Sequence, residues 1–168
     1  MLPARRIPRR FAIKPAEVAL PGGVAFGDYR RVIQPFENWT LICDENLKAR
    51  KKVCNISQTL VDQTGETVFS WSLAATQDGK PMLIMRVPPN IGAGKDIVLR
   101  FPGKPQLQVK TNGCDARVCM ALMPIGPVLR ERIEKGASPE VSYAGAQQGT
   151  VTLNPPLKGL SEALAAIK

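Results

Sequence analysis

The sequence predicts a mainly β fold, an antiparallel β-sandwich or barrel-like body carrying one or two short helices. Three observations carry that prediction. From Trp39 onward the chain falls into short runs of alternating or β-branched residues; Gly, Pro, Asn or Asp bounds each run; and only two segments repeat with the period of a helix. Length and composition fit one globular domain. With 168 residues, 44% of them hydrophobic and 22% charged, the chain can bury a core without needing cross-links to do so.

Residues 1–35 hold five prolines, Pro3, Pro8, Pro15, Pro21 and Pro35, a spacing that no helix survives. They read as an extended basic arm, either a leader or a tether. Of the net charge of +9, residues 1–31 contribute +5, through Arg5, Arg6, Arg9, Arg10, Lys14, Arg30 and Arg31 against Glu17 and Asp28. A basic start and Ala25-Phe26-Gly27 resemble the two ends of a secretory signal, and Arg9-Arg10-Phe11 weakly resembles a twin-arginine one. Glu17, Pro15, Pro21, Gly22 and Gly23 interrupt the apolar middle such a signal needs. No run of about 20 apolar residues occurs, which excludes an ordinary membrane-spanning helix.

Residues 36–168 read as the folded domain. Strands are expected at 39–43 (WTLIC), 53–60 (VCNISQTL), 67–75 (TVFSWSLAA), 82–87 (MLIMRV), 96–101 (DIVLRF), 106–111 (QLQVKT), 117–123 (RVCMALM), 140–143 (EVSY) and 150–153 (TVTL). Nine short strands with tight connections imply a sandwich or barrel. In VLRERIEK, from Val128 to Lys135, the apolar residues share one helical face, and Gly136 follows where a helix would stop. In SEALAAIK, Ser161 can cap a final helical turn, with Leu164 and Ile167 facing the body. Trp39 and Trp71 lie within alternating strands and are expected in the core.

The four cysteines form two close pairs, CDENLKARKKVC from Cys43 to Cys54 and CDARVC from Cys114 to Cys119. A structural zinc site brings sulfurs in CxxC-like pairs, a spacing absent here, and no histidine is available to complete a mixed site. Redox catalysis also favours CxxC. Two local disulfides fit better, the first closing a hairpin whose loop is too polar to close itself; four buried thiols in a reducing cytosol are the alternative. By loop-closure entropy the longer bond is worth roughly 3 kcal/mol and the shorter roughly 2, large shares of a net stability of about 5 to 15 kcal/mol. Such bonds require an oxidising compartment.

No catalytic constellation stands out. Histidine, the commonest acid or base near neutral pH, is missing, and there is no G-x-S-x-G or paired carboxylate. Gly92-Ala93-Gly94-Lys95 lacks the spacing of a phosphate loop and reads as a turn. Neither cofactor nor metal is expected. Nucleic-acid binding fits poorly, because only 5% of residues are aromatic and none interleave with the basic runs. The charge is better read as a contact surface for an envelope protein, a membrane complex or an anionic lipid surface, where each basic residue is worth about 1 kcal/mol. Its candidate residues are Arg5, Arg6, Arg9 and Arg10 on the arm and Lys48, Arg50, Lys51 and Lys52 in the first cysteine loop. The alternative is a small periplasmic hydrolase or ligand-binding module.

Four segments in order, Trp39-Thr40-Leu41-Ile42-Cys43, Cys54-Asn55-Ile56-Ser57-Gln58, Cys114-Asp115 with Cys119, and Leu157-Lys158-Gly159-Leu160-Ser161-Glu162-Ala163-Leu164, resemble the invasion-associated locus B family of bacterial proteins. The resemblance runs from about Phe36 to the C-terminus. It implies a mostly β fold, two disulfides and a periplasmic or exported protein of alphaproteobacterial type, in a family named for an association with host-cell entry. Val118 stands where members often have Gly, and Leu160 where they usually have Phe.

Overall fold

Alternation sorts the side chains of each strand onto two faces, and a chain of such strands must close its apolar faces on one another. The computed structural model describes residues 10–75, 80–147 and 149–167, and among them this closure takes the form of two antiparallel sheets. The larger sheet is built from β1 (Tyr29–Phe36), β2 (Trp39–Asn46), β3 (Lys51–Val61), β4 (Thr67–Ala75), β5 (Pro81–Val87), β8 (Gly113–Cys114) and β9 (Cys119–Pro124), in the order β1-β2-β3-β4-β5-β9-β8. The smaller has β6 (Asp96–Arg100), β7 (Leu107–Lys110), β10 (Glu140–Ala144) and β11 (Thr150–Leu153), in the order β11-β10-β6-β7. Both sheets keep open edges, so the architecture is a sandwich and not a closed barrel.

The core lies between them. Leu41, Ile56, Phe69, Trp71, Leu83 and Met85 from the larger sheet bury against Ile97, Leu99, Val141 and Tyr143 from the smaller. Each such side chain contributes about 1.5–3 kcal/mol when fully buried. Trp39 and Trp71 are both in this core, stacked with ring centroids 5.7 Å apart, and Phe69 meets Trp71 edge-on at 5.4 Å. The Tyr143 hydroxyl ties one sheet to the other by donating to the Val68 carbonyl at 2.6 Å.

Two helices close the remaining side. Helix α1 (Pro127–Glu134) buries Leu129 and Ile133 and stops as expected at Gly136, whose φ of 62° permits the Ala137 N–H to reach the Arg132 carbonyl at 3.1 Å and the Gly136 N–H to reach that of Ile133 at 3.0 Å. Helix α2 (Leu160–Ala165) corrects one expectation. Its N-cap is Gly159, with no side-chain cap, so Ser161 sits inside the helix rather than before it. The buried face is Leu160 and Ala163; Leu164 is half-buried and Ile167 is exposed.

The strands depart furthest from expectation at three places. Residues 29–35, expected within the arm, belong to β1, which pairs with β2 from Tyr29↔Asn46 to Phe36↔Trp39. The first cysteine loop is mostly strand, since β2 and β3 stay paired as far as Asn46↔Lys51, leaving Leu47 to Arg50 as the turn. Opposite charges facing each other across the strands, Glu45↔Lys52 among them, support pairing where composition had indicated a loop. Near the second cysteine pair, residues 117 and 118 form the connection between β8 and β9.

Candidate functional site

Three of the four sequence segments singled out above meet at one place. Gln58, buried on β3, donates through Nε2 to the Asn38 and Pro156 carbonyls at 3.2 and 2.9 Å, and accepts at Oε1 from Trp71 Nε1 at 2.8 Å. Trp39 Nε1 donates to the same Pro156 carbonyl at 3.2 Å, and Asn38 Nδ2 to the Lys158 carbonyl at 3.1 Å. Gly159, with φ 98°, passes so close to the β1–β2 turn that a Cβ there would overlap the Glu37 carbonyl oxygen. The tryptophan, the glutamine and the Lys158-Gly159 step thus form a structural lock between the C-terminal segment and the first hairpin.

The fourth segment shapes a turn. Asp115 Oδ1 accepts from the Arg117 and Val118 N–H groups at 2.6 and 2.9 Å, and these donors hold its carboxyl below the usual range. The turn brings Cys114 opposite Cys119, and the two are joined as a disulfide with a Cα separation of 4.0 Å.

Cys43 and Cys54 form the second disulfide, Cα atoms 4.1 Å apart, as directly opposed residues of β2 and β3. The bond sits within the ladder rather than at its open end, with three residue pairs between it and the turn. Beyond it β1, β2 and β3 run on as a three-stranded ribbon whose residues are exposed or half-buried, Val53 among them at 72% exposure. No apolar core holds this end together, so the staple and the ladder must.

The charges of the ribbon are sorted by its register. Arg31 binds Asp44 with both ends of its guanidinium, Nε–Oδ1 at 2.6 Å and Nη2–Oδ2 at 3.1 Å, and Arg30 binds Glu45 at 2.6 Å. The Tyr29 hydroxyl also donates to Asp44. The Arg31 guanidinium is the main reason that the Asp44 carboxyl is held below its usual range, and Asp44 in turn pushes the Tyr29 hydroxyl up. Sequence reading missed this network. Its signal was present in the way Tyr29-Arg30-Arg31 mirrors Asp44-Glu45-Asn46 about the turn at Glu37-Asn38.

With Asp44 and Glu45 engaged by β1, the turn is left basic. Lys48, Arg50, Lys51 and Lys52 are all exposed, and Lys48, Arg50 and Lys51 make no ion pair with any described residue. The arm joins the molecule at the same end. The Leu47 N–H donates to the Asp28 carbonyl at 2.7 Å, and Gly23, Val24 and Ala25 share a surface cleft with Asn46, Lys48 and Ala49. Arg10 lies exposed beside Phe11 and Ile13, which are 87% and 96% exposed. Arg5, Arg6 and Arg9 lie outside the described residues.

Elsewhere the surface offers open clefts. One of about 480 Å³ is lined by Arg100, Lys104, Gln106 and Glu140, with Arg100 bound to Gln106 and Glu140 at 3.2 and 3.1 Å. Another, of about 200 Å³, includes Asp62, whose carboxylate is occupied by Thr64 and Glu66 N–H groups. Among the described residues no cluster of Cys, Asp or Glu has the geometry to hold a metal ion, and no helix is long and apolar enough to cross a membrane.

Comparison with known proteins points the same way as the motifs. Residues 39–168 match the family model described as Invasion associated locus B (IalB) protein. Among solved structures, the chain is similar to invasion associated protein B from Bartonella henselae, with a TM-score of 0.64 and 22% identity over 80% of this chain and 92% of that one. A search of curated proteins finds no match.

Proposed function

From the premise that this chain belongs to the invasion associated locus B (IalB) family, we propose that it is a noncatalytic, exported protein of the bacterial envelope that works by surface contact, with the basic end of the ribbon and the adjoining arm as the contact site. The family association, the two disulfides and their need for an oxidising compartment support the envelope setting. The observation that carries the contact reading is convergence. The segment leading out of the arm bonds at Asp28 to Leu47 at the foot of the basic β2–β3 turn, while Asp44 and Glu45 are already neutralised from β1.

A cluster of this kind favours an anionic surface, whether lipid headgroups or an acidic partner protein, and Phe11, Ile13 and Val53 add exposed apolar groups that can bury against it. The link of the family to host-cell invasion enters here as the setting in which such contacts would operate. Flotation of the oxidised full chain with vesicles containing phosphatidylglycerol tests the lipid form. Binding is expected to weaken with salt, and K48A/R50A/K51A to lower affinity roughly a hundredfold, at about 1 kcal/mol per lost contact. Equal recovery with neutral vesicles, or no effect of the triple substitution, would refute it.

A further inference from the structure

Strand β1 is the outermost strand of the larger sheet. Its residues alternate between bonding β2 and facing outward. The bond from the Leu47 N–H to the Asp28 carbonyl fixes which do which: Asp28, Arg30, Val32, Gln34 and Phe36 face β2, and Tyr29, Arg31, Ile33 and Pro35 turn their backbone groups away from it. Among the described residues nothing bonds to that outward row. Long open edges are normally blunted, by shortness, by charge or by proline. The other edge strands obey this, with four residues each in β7 and β11 and two in β8, whereas β1 has eight.

Its protection is also incomplete. Arg30 and Arg31 would repel an incoming strand, but each is already bound to a carboxylate of β2. Pro35 removes one outward donor and leaves Tyr29, Arg31 and Ile33 with theirs. Val32 and Ile33 at the centre of the strand are 48% and 60% exposed.

We propose that this edge pairs with the same edge of a second copy of the chain, joining two sheets into one across β1. A two-fold axis perpendicular to the sheet keeps each face on its own side, so outward residues pair only with outward residues. Three registers remain near the centre. Centring on Arg31 sets Arg31 against Arg31; centring on Ile33 sets Arg31 against Pro35 and loses a donor on each side. Centring on Val32 sets Arg31 against Ile33 of the second copy and Val32 against Val32. Tyr29 then donates to the Pro35 carbonyl, where the missing N–H matters least. That register opposes no like charges and places apolar groups at the axis, and such self-complementarity selects a second copy over an unrelated strand.

Sedimentation of the oxidised full chain over a range of concentrations, combined with amide exchange, tests this independently of lipid binding. The expected result is a concentration-dependent dimer in which the Arg31 and Ile33 amides gain protection as dimer forms, while those of Arg30 and Val32 are protected throughout. Ile33→Pro removes an outward donor without touching the β1–β2 ladder, and is expected to raise the dimer dissociation constant tenfold or more, by roughly the worth of the lost bonds. A monomer at every concentration overturns the proposal, and so does a dimer that survives Ile33→Pro or leaves the Arg31 and Ile33 amides exchanging freely. Protection of those amides in a monomer would assign the edge to the chain's own arm and equally overturn it. Should Ile33→Pro not fold, the amide pattern of the unsubstituted chain decides.

Discussion

Gln58 shows how much of this fold hangs on single polar groups. Its side chain has one acceptor and two donors, and all are used, between Trp71, Asn38 and Pro156. Replacing it with leucine would leave the buried Trp71 N–H without its partner and remove the bonds to the Asn38 and Pro156 carbonyls. The expected cost is about 2–4 kcal/mol in urea denaturation. Gly159 is under a steric constraint instead, since any Cβ meets the Glu37 carbonyl and the positive φ is itself unfavourable for other residues. Gly159→Ala is therefore expected to lower stability by about 2–4 kcal/mol, read by thermal or urea melting. Asp44 carries a pH dependence. Its carboxyl is depressed in the folded state by Arg31, so its contribution is present above the unfolded value of about 3.9 and lost as pH falls through the lower folded value. Protection factors of the β1–β2 ribbon amides, taken against the intrinsic exchange rate at each pH, should accordingly fall on acidification below about pH 4, and Asp44→Asn should remove that dependence. The spacing of the tryptophan, glutamine and glycine was plain in the sequence. That they bond to one another was not, because the carbonyls they use belong to backbone far away in the chain.

At the level of elements, the disulfides and the strands they join depend on each other. Opening the Cys43–Cys54 bond with paired serine substitutions is expected to cost about 3 kcal/mol, and opening Cys114–Cys119 about 2 kcal/mol. The first loss should appear in hydrogen exchange as fast opening of the ribbon beyond Ile42 and Asn55 while the Trp39–Trp71 core stays protected, since that ribbon has no apolar core of its own. Alternation made most strands readable, β4 to its full length. β1 escaped notice because its proline and two arginines are the marks of an arm, yet both are tolerated on an edge where Pro35 directs its missing N–H to solvent and the arginines find Asp44 and Glu45. The ends of β2 and β3 were hidden by their charge for the same reason. A run of polar residues reads as loop until the strand opposite is known to carry the complementary signs.

For the whole molecule, the two-sheet body was legible, because many short alternating strands admit few other solutions. The candidate site was legible only in its parts. Composition marked the arm and the lysine-rich turn as basic, but their junction at Asp28 and Leu47 and the neutralisation of the intervening acids come from register, which no local pattern encodes. What unites the body, the ribbon and the proposed envelope setting is the oxidised state of two neighbouring cysteine pairs. Peptide mapping of the unreduced protein by mass spectrometry, with thiols blocked at the moment of lysis, tests that directly. Cross-linked peptides containing Cys43 with Cys54 and Cys114 with Cys119 are the expected result; four blocked free thiols, or any bond between an early and a late cysteine, would contradict it.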